Sequence, residues 1–208
     1  MFIGIAIALW PLGQKAYGVW SQRELEAQWE QTTRGTSKKA DAKRETQDVK
    51  TKSQSSRVSF STSGSGSRKP VAPWPMTRIS IPDIGVNAVV VQGLDEKSLA
   101  RGPGHDPNSA LPGQPGNCVI AGHRNVYGAW FYRLDELWAG SKIELQTPDG
   151  NATYYVVSVR TVSESDGSVR LPPTEPNARP RLTLITCTLP HTPNRIIVTA
   201  EHSDEPLF

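Results

Sequence analysis

The chain has 208 residues, of which 37% are hydrophobic; that length allows one sizeable domain with extra segments, and that apolar content is too low for a protein embedded wholly in a membrane. The formal net charge of +3 is unevenly placed, since residues 31–70 hold ten Lys/Arg against three Asp/Glu whereas residues 71–208 hold eleven against fourteen. The basicity therefore belongs to a connecting segment and gives no reason to invoke nucleic acid as a partner.

In chain order, the apolar run Phe2 to Gly13 comes first. A membrane-crossing helix needs about 20 apolar residues, and this run reaches Trp20 only by including Gln14 and Lys15. No charge precedes Lys15, which argues against a signal peptide. Trp10, Tyr17 and Trp20 suit a membrane–water boundary. Residues 1–20 are therefore read as a single-pass anchor helix, with the membrane as a partner and the rest of the protein on the extracytoplasmic side of the cell membrane. An amphipathic or buried helix of a globular protein is the competing reading. Residues 21–73 form the next unit. Ser21 to Gln31 continues helical, and Thr32 to Pro73 is a Ser-, Thr-, Lys- and Gly-rich stretch with little to bury, which predicts a flexible basic tether. Its lysines conflict with the extracytoplasmic placement, because positive segments tend to stay in the cytoplasm.

Residues 74–208 carry the folded domain. Arg78 to Pro82 and Val86 to Val91 read as short strands joined by the turn at Asp83-Ile84-Gly85. Asp95 to Arg101 allows one or two helical turns, and the Gly- and Pro-rich stretch 102–116 is a loop. The strand from Asn117 ends on His123 and is followed by a predicted short helix over Ala129–Trp138. Lys142 to Thr147 and Thr153 to Val162 form a hairpin around Pro148-Asp149-Gly150. The polar loop 163–180 leads to Leu182-Thr183-Leu184-Ile185-Thr186-Cys187, and Arg195 to Ala200 is the last strand. Many short strands, one or two short helices and no βαβ alternation predict a mainly all-β barrel or sandwich.

Three strand ends thus present a histidine, a cysteine and an arginine, which are the parts of a thiol acyl-transfer site. A thiolate is the reactive form of cysteine, and Arg195 and a protonated His123 supply the positive charge that favours it. Cys118 is read as a core residue, because side chains alternate along a strand and place it on the face opposite His123. His191, four residues after Cys187, competes with His123 for the acid/base role. His202 reads as solvated. Glu164 and Asp166 are acidic loop residues that do not make a calcium cluster, and neither a metal site nor a cofactor is expected.

Gly116 to Arg124 (GNCVIAGHR), Thr183 to Cys187 (TLITC) and Arg195 eight residues further on resemble a sortase, with Gly102-Pro103-Gly104-His105 and Leu111-Pro112-Gly113 similar to the loop that precedes the histidine strand. The resemblance runs from about Ile79 to Glu201. It implies a closed eight-stranded β-barrel and a cysteine transpeptidase that cuts a Leu-Pro-X-Thr-Gly-like signal and joins the acyl end to an amine. By this resemblance Cys187 is the nucleophile, His123 the general acid/base, and Arg195 the group that holds substrate and steadies the oxyanion. Thr186, Ala121 and His105 are the candidate substrate contacts, with a strand-forming role open for Thr186 and a loop-ordering hydrogen bond for His105. The implied partners are the C-terminal sorting signals of secreted proteins and an amine acceptor, either a cell-wall precursor or a protein lysine. No hydrophobic span follows Glu201, which leans towards a housekeeping or specialised anchoring subgroup; the resemblance is to the class D or E kind, and the subclass stays open. Two other functions stay in view, a cysteine hydrolase of the same architecture and a non-catalytic barrel that binds ligands.

Overall fold

Alternation of side chains along each strand sends one set of apolar residues into a barrel and leaves a second set on its outer wall. In the computed structural model, which describes residues 2–47, 74, 76–189 and 192–203, with side chains of the first helix described over 13–35, eight strands carry this pattern. They are β1 (Thr77–Ile81), β2 (Val86–Gln92), β3 (Gly104–His105), β4 (Asn117–Ala121), β5 (Lys142–Thr147), β6 (Gly150–Ser163), β7 (Arg181–Cys187) and β8 (Asn194–His202). They close in the order β1-β2-β3-β4-β7-β8-β6-β5. Neighbours are antiparallel except at β2–β3 and β4–β7. The closed eight-stranded barrel is the expected one.

Inside it lie Cys118 and Ile120 of β4, Leu182 and Leu184 of β7, and Ile196, Val198 and Ala200 of β8, packed with Ile79, Ile81 and Tyr154. The outward set from the same strands, Val119, Ile185 and Ile197, gathers with Val169 into a separate apolar cluster. Burial of the interior set drives closure, and a closed sheet has no exposed edge to protect.

Two short elements follow their local chemistry. α2 (Glu96–Arg101) starts at Asp95, whose carboxylate accepts from the backbone N–H of Lys97 and Ser98, as an N-cap should. The turn at Pro82–Ile84 is a 3-10 helix closed by Gly85 at φ +69. The helix predicted over 129–138 shrinks to a 3-10 turn at Leu134–Glu136. Tyr127 and Ala129 sit at φ 53 and 47, a left-handed backbone that cannot lead directly into a right-handed helix. The stretch predicted as a loop over 102–116 also contributes β3.

The N-terminal segment corrects the sequence reading. A single helix, α1, spans Phe2–Gln47, and among the described residues no helix is long and apolar enough to cross a membrane. This overturns the membrane anchor over residues 1–20, the membrane as a partner, and the single-pass membrane localisation built on them. Gln14 and Lys15 interrupt the apolar run, and the helix spends one face on the barrel instead. Leu25 and Trp29 are buried with Val89 and Val91, against Met76. Gln22 acts as a surrogate strand neighbour: its Oε1 accepts from Val89 N–H at 2.8 Å, and its Nε2 donates to the carbonyls of Val89 and Arg101 at 2.9 Å. One turn earlier the helix comes so close to the barrel that a Cβ on Gly18 would lie 2.5 Å from the backbone nitrogen of Gly128. The helix also runs past Gln31, because the residues from Lys38 to Gln47 are mostly good helix formers. Residues 48–73 of the expected tether lie outside the described residues.

Gln22→Ala strips three hydrogen bonds from a side chain that is 3% exposed and leaves the backbone groups of Val89 without them, so it should cost about 1–3 kcal/mol. Urea denaturation of the full chain measures this, and an unchanged midpoint would mean that α1 is held by apolar contacts alone.

Candidate active site

The site begins with a register. β4 and β7 run parallel with Ala121 beside Ile185. The contact continues one residue past the end of β4, where Gly122 N–H donates to Ile185 O at 3.0 Å and Thr186 Oγ1 donates to Gly122 O at 2.8 Å. His123 therefore leaves β4 at the level where β7 ends in Cys187. On the other side of β7, Cys187 and Arg195 are direct partners in the β7–β8 ladder. The structure thus brings His123, Cys187 and Arg195 to one rim of the barrel on three adjacent strands. Gly122 makes room for this approach, since a Cβ there would fall 2.7 Å from the ring of Phe131.

Two residues below Cys187 and Arg195 on the same face lie Ile185 and Ile197. With Val162 and Val169 they form the apolar floor of a cleft of about 540 Å³, and Glu164 and Arg195 stand on its rim. One wall is the segment 163–170, strapped to the barrel by Asn117. The Asn117 amide donates to the carbonyls of Val169 and Leu171 at 3.0 and 3.1 Å, and its oxygen accepts from Thr183 at 2.8 Å. Asn117 is 3% exposed, so these bonds fix the wall where water does not compete.

Charge around the rim is arranged around His123 and Arg195. Burial pushes the His123 pKa below the ordinary imidazole value, and the negative charge of Glu96 partly opposes that. The His123 ring packs on Tyr127 with centroids 5.2 Å apart, and Tyr127 in turn meets Tyr17 of α1 edge-on at 6.4 Å. The Nε2 of His123 is buried without a hydrogen-bond partner. Arg195 is engaged: one terminal nitrogen donates to Glu164 at 2.6 Å and the other to Asn194 O at 2.9 Å. Next to His123, Arg124 pairs with Asp135 at 2.7 Å and donates to the carbonyls of Tyr132 and Cys187 at 3.2 and 3.4 Å.

The remaining predicted residues divide by face. Thr186 is buried, with its hydroxyl given to Gly122 O. Ala121 is half-buried against the cluster that makes the cleft floor. His105 sits away from the cleft lining: it is buried on β3, stacked on Trp74 at 3.8 Å, with its Nε2 3.0 Å from Ala110 O and 2.9 Å from Ser109 Oγ. That placement orders the 106–116 segment. Cys118 faces the barrel interior, where burial pushes its thiol pKa far up, and neither Cys118 nor Cys187 is in a disulfide. His202 packs edge-on against Tyr154 at 5.4 Å. His191 lies outside the described residues. Among those residues no group of three or more His, Cys, Asp or Glu could hold a metal ion.

Sequence reasoning passed over Tyr127 and undervalued Glu164. Counting two residues on from Arg195 points to Ile197, but no local pattern places Glu164 on Arg195, because that contact joins segments far apart in the chain. Tyr127 follows His123 closely and meets its ring through a left-handed turn that its residue type does not announce.

Comparison with known proteins bears on the whole domain. A model of the sortase domain matches residues 79–203. The chain is 33% identical over 91 residues to Sortase D of Bacillus subtilis (strain 168), covering 44% of each chain. It is 30% identical over 129 residues to Sortase A of Streptococcus agalactiae serotype III (strain NEM316), covering 59% of this chain and 51% of that protein. Among solved structures, a Clostridium perfringens Sortase D5 transpeptidase matches with a TM-score of 0.57 and 32% identity, over 62% of this chain and 79% of that one. The chain spans about half the length of the two named relatives it matches by sequence.

Glu96 favours the charged form of His123, so Glu96→Gln should move the His123 pKa further below the ordinary imidazole value. NMR titration of the His123 ring protons in parent and variant measures it. A pKa that stays put or rises would remove Glu96 from the electrostatics of the site.

Proposed function

The chain belongs to the sortase family, and from that premise we propose that it is a cysteine transpeptidase: it opens a Leu-Pro-X-Thr-Gly-like signal through a thioester and passes the acyl end to an amine. The observation that carries this reading is the direct pairing of Cys187 with Arg195 across β7 and β8, at the rim where His123 leaves β4.

In this mechanism the Cys187 thiolate attacks the scissile carbonyl carbon, and the developing oxyanion is met by the guanidinium of Arg195, which stays charged throughout and offers donors in a rigid fork. Protonated His123 then gives its proton to the leaving amide nitrogen as the C–N bond breaks, leaving a thioester on Cys187 and a free amine. A depressed pKa makes the imidazolium a stronger acid, which suits donation to a leaving amine. The incoming amine attacks the thioester carbonyl, loses a proton to neutral His123, and expels the Cys187 thiolate. The product is a new amide and the enzyme returns to its starting state.

The cleft supplies the binding half of the reading. An extended peptide laid along β7 and β8 would place its apolar Leu-Pro residues over Val162, Val169, Ile185 and Ile197 and its scissile carbonyl near Cys187 and Arg195. Apolar burial of the remote residues then positions the carbonyl for attack. On this reading the partners are proteins bearing such a signal and an amine from a cell-wall precursor or a protein lysine.

Mass spectrometry of the full chain incubated with a panel of Leu-Pro-X-Thr-Gly peptides, with and without triglycine, tests the proposal. The expected result is an acyl adduct on Cys187 that converts to an amide-linked product when the amine is present. An adduct that yields only free acid in the presence of amine would make the protein a hydrolase, and no adduct with any peptide would favour a binding barrel.

Cys187→Ala should abolish the adduct and leave the thermal midpoint within a few degrees of the parent. Cys118→Ala, on the opposite face of its strand, should keep adduct formation. Turnover surviving in Cys187→Ala would rule the mechanism out.

A further inference from the structure

Beyond the three residues of the proposed mechanism, one carboxylate is built into the rim. The β6–β8 ladder pairs Val162 with Arg195 and Ser163 with Asn194, and it is extended by Glu164 N–H donating to Pro193 O at 2.9 Å. Glu164 is thus two residues beyond the partner of Arg195 and shares its face, a diagonal neighbour within reach of a long side chain. The two side chains meet: Arg195 Nη2 donates to Glu164 Oε2 at 2.6 Å, while Nη1 donates to Asn194 O at 2.9 Å. A charge-assisted bond of this kind is directional as well as strong. The other charged groups on the cleft rim have partners of their own, since Asp166 accepts from Ser168 and Arg170 pairs with Asp106.

We propose that Glu164 is a positioning residue that holds the Arg195 guanidinium at the head of the cleft, level with Cys187. β8 carries Arg195 between two neighbours, Glu164 on the β6 side and Cys187 on the β7 side. A guanidinium has five N–H donors, so the two bonds that fix it leave others for a carbonyl oxygen at Cys187. Without the carboxylate, the long flexible stem of Arg195 is tied, among the described residues, only by its bond to the neighbouring backbone carbonyl. The arrangement parallels the way an aspartate orients the histidine of a serine-protease triad without itself entering the chemistry. This inference rests on the reading of Arg195 as the group that steadies the oxyanion.

The test uses the full chain and the Leu-Pro-X-Thr-Gly peptide that the parent turns over fastest. Glu164→Ala should lower kcat about tenfold with KM within about threefold of the parent, the pattern of an interaction needed in the transition state. Glu164→Gln keeps an acceptor oxygen of the same reach and should recover kcat to within about threefold of the parent. In an Arg195→Ala background, where only slow acylation is followed by mass spectrometry, Glu164→Ala should add less than about a twofold further loss, because the two residues act as one unit. Parent-like or faster turnover in Glu164→Ala would overturn the inference, as would a full additional loss in the Arg195→Ala background. If Arg195→Ala itself acylates as fast as the parent, it is the underlying assignment of Arg195 that fails. A structural role for Glu164 alone would lower the thermal midpoint of both Glu164 variants without the recovery by glutamine.

Discussion

The parallel pairing of β4 with β7 is the constraint on which the site depends. Parallel strands cannot be joined by a tight turn, so the chain between them, residues 122–180, has to leave the barrel rim, build β5 and β6 on the far side, and return. That detour does two things at once. It puts the ends of β4 and β7 at the same rim, where His123 and Cys187 emerge, and it supplies the 163–170 segment that walls the cleft. Asn117, two residues out of register with Thr183 in the β4–β7 ladder and held by the Thr183 hydroxyl, then binds that wall back onto the strands that made the detour necessary. β8 completes the arrangement by returning antiparallel to β7, which sets Arg195 against Cys187 without an intervening loop contact.

Alternation along the strands separates stability from chemistry. On β7 the inward residues Leu182, Leu184 and Thr186 are buried, and the outward Ile185 leads to Cys187; on β8 the inward Ile196 and Val198 alternate with the outward Arg195 and Ile197. A slip of one residue in either strand would bury the thiol and expose the core, so the core residues enforce the placement of the reactive ones. Cys118 shows the same rule from the other side: the same side chain chemistry on an inward position is kept from ionising by burial. The charges at the rim are likewise local in cause. Burial holds His123 neutral more readily, while Arg195 keeps a carboxylate beside it.

α1 illustrates how composition misleads about partners. Trp10, Tyr17 and Trp20 suit a membrane boundary, yet Tyr17 meets Tyr127, whose ring packs on His123, Trp20 is exposed, and further along the helix Trp29 packs on β2. An aromatic side chain lowers its free energy in any place that removes its ring from water, so a membrane and a barrel wall are indistinguishable by residue type. The folded domain offers something a bilayer does not, the backbone groups of Val89 on β2 and Arg101 on α2 that Gln22 satisfies.

By itself the local pattern determined a mainly all-β barrel or sandwich, because β-branched alternation and Gly/Pro punctuation act over a few residues, and the closed eight-stranded form was implied only by the family resemblance. The sequence also determined the candidate residues Cys187, His123 and Arg195, because each ends or begins a strand whose flanks are recognisable. The tertiary structure decided the rest. It turned Glu164 from a solvated loop acid into the partner of Arg195, moved His105 off the cleft onto Trp74, and laid one face of α1 on β2. Each of these depends on which segments the closed sheet brings together across tens of residues, and a register between distant strands leaves no mark in the local pattern of either one.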